Sequence, residues 1–274
     1  MTTFMNLPRF EEAKVAILPV PYEKTTSYKK GTKKGPEKIL KASNELELYD
    51  EELNSEPYSI GITTLDEIDN LDGLENLKTD KFLIALGGEH TISLPLVKRH
   101  NQENLSILQI DAHADLKDSF DGNKMSHACV MKRIFEVNPN ITQVGIRSLS
   151  KDENDFIQKN NIKTFFMKDL VYNRNYVQDI LSTLKKDVYL TIDLDGIDPS
   201  IIPDVGTPEP GGLRWHQLLQ LLKELFKQKN VVGIDVVELS PSKETNSDYI
   251  AAKLIYKMIG YKSLSIGGNK GKDL

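Results

Sequence analysis

The chain has 274 residues, 39% apolar and 27% charged, which excludes a disordered chain and leaves enough material for a large core without staples. Its single cysteine, Cys129, excludes an internal disulfide and a thiolate zinc site. A net charge of −5 favours neither a nucleic-acid binder nor a basic membrane-surface protein.

The first residues, Met1 to Lys14, lack a basic segment followed by an apolar one; Glu11 and Glu12 stand where a signal peptide would be apolar. No run approaches the ~18 apolar residues of a membrane span. The reading is a soluble, cytoplasmic protein. Val15–Val20 reads as a strand, followed by a polar loop to Gly35, and Pro36 marks a helix start with Ile39, Leu40 and Leu46 as core positions. Further apolar runs at Phe82–Leu86, Leu105–Ile110, Ile141–Ile146, Lys163–Met167, Val188–Ile192 and Val231–Val237 predict strands. Helical spacing is clearest over Arg214–Lys229, where Leu218, Leu221, Leu222 and Leu225 share a face, and over Asp248–Ile259. Alternating strands and helices predict one α/β domain over residues 1–274, with a central, mostly parallel sheet between two helical layers. Residues 267–274, Gly-Gly-Asn-Lys-Gly-Lys-Asp-Leu, lack phosphate-loop spacing and read as a flexible tail.

The chemistry sits where these strands stop. Phe82–Leu86 runs into Gly87-Gly88-Glu89-His90, Leu105–Ile110 into Asp111-Ala112-His113-Ala114-Asp115, Val188–Ile192 into Asp193-Leu194-Asp195, and Val231–Val237 into Glu238. In a parallel sheet such ends lie along one edge, where ligands bind. Asp111, Asp115, Asp193 and Asp195 would repel one another at low dielectric unless they held protons or cations. With His90 and His113 they form an oxygen-rich donor set that suits Mn²⁺ better than zinc or calcium. Six side chains hold two ions if two carboxylates bridge, and such pairs generate a hydroxide for hydrolysis. Asp198, before Pro199, reads as a turn former instead. His100 and His216 read as surface residues, and Cys129 as packed on a helix face.

These motifs, with Ser126-His127, Gly206-Thr-Pro-Glu-Pro-Gly-Gly212 and Glu238-Leu-Ser-Pro241, resemble the ureohydrolases, the family of arginase and agmatinase. The resemblance implies an arginase/deacetylase-like three-layer fold, a dinuclear manganese site and a homotrimer or homohexamer. It implies one metal on His90, Asp111, Asp115 and Asp193, and another on Asp111, His113, Asp193 and Asp195. It further implies His127 as proton donor and Glu238 as the clamp on a substrate guanidinium. The expected reaction is hydrolysis of a small cationic guanidino compound to urea and an amine by a metal-bridging hydroxide. The segment Leu116–Met125 looks agmatinase-like, so agmatine is favoured, with putrescine as product and polyamine biosynthesis as the setting. Aminopropylagmatine, a carboxylated analogue, a guanidino acid or arginine are the alternatives. Asp118 and Asp121 are candidates for attracting the substrate's amine. A single-zinc deacetylase is the reading outside the class, opposed by the second-metal set His90, Asp115 and Asp195. Glu89 stands where many members have Asp, Ala128 where many have Gly, and Asp204-Val205 where Gly-Thr is common. The sequence leaves open whether Tyr22, Thr25, Ser27 and Tyr28 border the pocket, and whether Arg147 serves a salt bridge or the substrate.

Overall fold

The computed structural model describes residues 2–9, 11–100, 103–242 and 245–267. Most of the expected tail at 267–274 therefore lies outside the described residues; Gly267 itself ends the last helix. Among the described residues, eight strands pair in parallel as one sheet. They are β1 (Val15–Val20), β2 (Ile62–Thr64), β3 (Phe82–Gly87), β4 (Leu105–Ile110), β5 (Ile141–Ile146), β6 (Lys163–Phe166), β7 (Asp187–Asp193) and β8 (Asn230–Val237). Their order across the sheet is β2-β1-β3-β8-β7-β4-β5-β6. The four strands whose ends carry acids and imidazoles, β3, β8, β7 and β4, are thus consecutive neighbours at its centre.

Burial on both faces explains why these strands read as mostly apolar runs rather than as an alternation of apolar and polar residues. Val15, Ile17, Ile84, Leu86, Leu190 and Val236 face one layer, formed by α1 (Gly35–Ser43), α7 (Tyr176–Ser182), α8 (Trp215–Gln228) and α9 (Ser247–Gly267). Ala16, Leu18, Ala85, Ile107 and Tyr189 face the other, formed by α2 (Leu71–Asn76), α3 (Ser93–His100), α4 (Val130–Val137) and α5 (Lys151–Asn160). A one-turn helix, α6 (Met167–Leu170), follows β6. The leucines expected on one face of α8 are fully buried. Helix α9 is longer than its apolar spacing predicts, because α1 and α8 flank it and Tyr256, Lys257 and Tyr261 are buried as well.

Two glycines bring the strand ends together. A Cβ on Gly88 would lie 2.0 Å from the carbonyl oxygen of Tyr22, so only glycine lets the turn after β3 cross the chain leaving β1. A Cβ on Gly196 would lie 2.8 Å from the backbone nitrogen of Asp111, so the turn after β7 can press against the end of β4.

Candidate metal centre

Register aligns the ends of the central strands. Ile110 pairs with Ile192, and Ile192 with Val236, so Asp111, Asp193 and Val237 leave the sheet at one level. The side chains then converge in two overlapping groups, His90–Asp111–Asp193 and Asp111–His113–Asp195, whose donor atoms lie within 4.8 Å of one another in each group. Asp111 belongs to both groups, and Asp193 falls only in the one with His90. Asp115 joins the first group through its Oδ2, 3.2 Å from His90 Nδ1. Asp115 holds a left-handed backbone (φ 53°), a strained state for a residue with a Cβ and one that clusters at functional sites.

His90 makes the strongest argument that this cluster suits a cation. Its Nε2 lies 2.8 Å from Thr191 Oγ1, and Thr191 donates its own proton to Asp235 Oδ1 at 2.6 Å. Thr191 can therefore only accept from His90, which puts the proton on Nε2 and a lone pair on Nδ1. That Nδ1 is buried and without a hydrogen-bond partner, yet Asp111, Asp115 and Asp193 oxygens surround it at 3.3, 3.2 and 3.6 Å. A lone pair facing three carboxylates needs a positive charge between them. A proton or a metal ion supplies it, and the hard oxygen donors with two imidazoles fit a divalent ion such as Mn²⁺.

The titration directions tell the same story. Burial first, and then the charges of Asp195 and Asp115, push the Asp111 carboxyl up to about 7. Burial, then Asp195, Asp111 and Glu238, raise Asp193 well above the carboxylate range. Burial opposes charge on His113, but its contact with Asp195 outweighs this and lifts the imidazole to about 10. Burial likewise opposes charge on Asp195, yet His113, 2.8 Å from Asp195 Oδ2, holds that carboxyl low. Asp111 and Asp193 are left with too little positive charge beside them, the condition that cation binding relieves.

Polar residues inside the strands orient this set. Gln109 Nε2 donates to Asp111 Oδ2 at 2.7 Å, and Gln143 Nε2 donates to Gln109 Oε1 at 2.7 Å. Buried Asp235 accepts from Tyr189 (2.8 Å), Thr191 and Ser93 (3.0 Å). Sequence reasoning passed over Gln109, Gln143, Thr191 and Asp235. Each is a polar residue inside an apolar strand, a pattern that names no partner until the strands are ordered.

A cavity of about 470 Å³ opens beside the cluster, lined among others by His113, His127, Asp193, Glu209 and Glu238. Glu238 has a left-handed backbone (φ 65°), and its Oε1 accepts from the backbone N–H of His90 at 2.8 Å. Burial pushes its carboxyl up to about 8, with Glu89 and Asp195 adding to the rise. The loop after β1 supplies Thr26, Ser27 and Tyr28 to the lining, so two of the four residues left open there border the cavity. Thr25 instead contacts His127, and Tyr22 is buried against the Gly88 turn.

Several expectations change. Asp118 and Asp121 are exposed and absent from the lining; Arg133 (3.3 Å) and Lys124 (3.7 Å) engage Asp118. Arg147 serves neither role weighed for it. Its guanidinium donates to the carbonyls of Asp195 (2.6 Å), Glu209 (2.8 Å), Pro210 and Gly145, clasping the 209–210 loop to the turn after β7. His100 is half-buried against the Tyr189 ring, not on the surface, whereas His216 is exposed. Cys129 is buried, though in the turn that leads into α4. Asp198 accepts from Ser200 N and Gly212 N, as a turn former does.

Comparison with known proteins agrees with this arrangement. The family model described as the arginase family matches residues 13–260. The N(1)-aminopropylagmatine ureohydrolase of Synechocystis sp. is 39% identical over 92% of this chain and 90% of its own length. The agmatinase of Pyrococcus horikoshii is 34% identical over 93% of this chain and 95% of its own. Among solved structures, the agmatine ureohydrolase of Thermoplasma volcanium superposes with a TM-score of 0.88 at 29% identity, covering 99% of this chain and 97% of that one. With its central strand ends gathering acids and imidazoles and a family match over nearly its whole length, the chain belongs to the arginase, or ureohydrolase, family of hydrolases.

Proposed function

We propose that this chain is a Mn²⁺-dependent ureohydrolase of N(1)-aminopropylagmatine, with agmatine as the second candidate, releasing urea and an amine. The observation that carries the ureohydrolase reading is the His90 Nδ1 lone pair set among three carboxylates, with Glu238 fixed beside it on the His90 backbone. The substrate tail rests on the relatives. Those named for aminopropylagmatine reach 39% identity, against 34% for the agmatinase, so the sequence's preference for agmatine gives way.

His90, Asp111, Asp115 and Asp193 would hold one ion, and Asp111, His113, Asp193 and Asp195 the other. Bound ions would supply a water activated near neutral pH. The protein's part is to choose and place the substrate. Glu238, whose carboxyl burial pushes up to about 8 in the metal-free chain, would hold the substrate's guanidinium through paired, charge-assisted hydrogen bonds. His127, which lines the cavity, would give the departing amine a proton. A single domain, a cytoplasmic location and a homotrimer or homohexamer belong to the same proposal; no helix among the described residues is long and apolar enough to cross a membrane.

Urea release with Mn²⁺ should be measured for aminopropylagmatine, agmatine, arginine and guanidinobutyrate. The highest kcat/KM is expected with aminopropylagmatine. A clear preference for agmatine overturns the choice of tail, and no urea from any of the four overturns the function.

A further inference from the structure

The loop after β1 reaches back to His127 through a buried acid. Glu89 is fully buried and accepts four hydrogen bonds: from Lys24 N (2.5 Å) and Thr25 N (2.6 Å) on Oε2, and from Thr25 Oγ1 (2.9 Å) and Thr91 Oγ1 (2.5 Å) on Oε1. Thr25 Oγ1 in turn lies 2.9 Å from the backbone nitrogen of His127 and 3.2 Å from its Nδ1. A threonine hydroxyl has one proton and two lone pairs. The proton goes to Glu89, so toward His127 the oxygen can only accept. It takes the backbone N–H with one lone pair and Nδ1–H with the other. The opposite tautomer would set the Nδ1 lone pair against the Thr25 lone pair at 3.2 Å, leaving only Ser126 Oγ, at 3.3 Å, to relieve it.

We infer that Glu89 and Thr25 are positioning residues that hold His127 as the Nδ1–H tautomer and present Nε2 to the cavity. The chain carboxylate–hydroxyl–imidazole does what a directly bonded acid does for a catalytic histidine: it fixes the ring's orientation and its tautomer. It also ties the loop that carries Thr26, Ser27 and Tyr28 of the cavity wall to the group that faces the substrate. Glu23 steadies the same loop, accepting from Gly31 N (2.9 Å) and Lys33 N (3.1 Å). The tautomer follows from the hydrogen bonds alone, whereas its value for turnover rests on the reading of His127 as proton donor.

Thr25→Val keeps the shape and removes the hydroxyl; Thr25→Ser restores it. Imidazole ¹⁵N shifts of metal-free, histidine-labelled protein at pH 8, with the His127 signals identified from their loss in His127→Gln, should show Nδ1 protonated in the wild type and in Thr25→Ser. Thr25→Val should move His127 toward the Nε2–H form. In the Mn²⁺-loaded enzyme, Thr25→Val should lower kcat by roughly 10–100-fold with KM within about threefold and metal content unchanged, and Thr25→Ser should recover most of the rate. A wild-type His127 protonated on Nε2, or shifts that Thr25→Val leaves unmoved, overturns the tautomer. Wild-type kcat in Thr25→Val overturns the role in turnover. If the wild type releases no urea at all, the proposed function falls, and the shifts still decide the tautomer.

Discussion

A single hydroxyl, that of Thr191, settles which nitrogen of His90 carries a proton, because it hands its own proton to Asp235. Replacing Thr191 with valine keeps the volume but frees the ring to turn or to change tautomer. Outer partners of this kind are worth about 10–100-fold in metal affinity. Thr191→Val should therefore weaken Mn²⁺ binding by that factor, read by titration calorimetry against the wild type. Unchanged affinity would show that packing alone holds the ring. At this scale the sequence was informative about charged residues and silent about neutral ones. His90, Asp111, His113, Asp115, Asp193, Asp195 and Glu238 stood out because an ionisable group at the end of an apolar run demands a reason. Thr191, Gln109 and Gln143 did not, because one neutral polar residue in a strand is cheap if it finds a partner, and the partner is known only once the strands are ordered. Asp235 is ionisable, but it lies inside β8, two residues before the strand's end, and not at the edge where the other acids converge. Arg147 was open to two roles and fills a third, since backbone carbonyls leave no trace in sequence.

Helices α3 and α9 each bury a charge problem. The last residue of α3, His100, packs on Tyr189, and burial, with Arg99 adding to it, lowers its imidazole to about 4. An unfolded histidine titrates near 6.5. Between those values the unfolded chain binds the extra proton, so His100 costs nothing above pH 6.5 and stability is lost progressively as pH falls toward 4. His100→Gln should lose less stability than the wild type across that window, read from urea unfolding at pH 7.5, 6 and 5. Parallel curves would place the acid sensitivity elsewhere. In α9, Lys257 is 2% exposed, with Asp50 Oδ1 at 2.9 Å, Glu52 Oε2 at 3.2 Å and Glu51 Oε1 at 3.4 Å. Asp50 is itself fully buried. Lys257→Met leaves that carboxylate without its cation and should cost about 3–5 kcal/mol, measured by urea denaturation. A cost below about 1 kcal/mol would mean that Lys253, 4.0 Å from Asp50 Oδ2, moves in to compensate. Seven strands were legible as apolar runs. The eighth, β2, escaped because three residues at a sheet edge make no pattern. The full extent of α9 escaped because a helix buried on most sides loses the periodicity that would bound it.

At the scale of the whole molecule, ligands from strands far apart in sequence make a metal site a cross-link of the folded state. An ion that binds only the native chain stabilises it by about 4 kcal/mol at a thousandfold excess over its Kd. At ~2–4 °C per kcal/mol, chelation with EDTA should lower the melting temperature by roughly 10 °C, and Mn²⁺ should restore it. A melting temperature indifferent to both would be inconsistent with a bound dication. The sequence announced the α/β class but not the strand order, because pairing β3 with β8 joins segments some 150 residues apart, as Leu83 with Gly233.

That strand order also sets when the site can exist. As the chain is synthesised, His90 and Asp111 emerge early, on the exits from β3 and β4. The finished sheet keeps those strands three places apart, roughly 14 Å at the usual spacing, with β8 and β7 between them. The two exits are bridged only when β7 and β8 occupy the places between them. Asp193, Asp195 and Glu238 arrive with the insertion itself. A chain that stops before β8 carries every candidate metal ligand but lacks Glu238 and the strand that joins β3 to β7, so the donor set is held at its finished spacing only once that strand is in place.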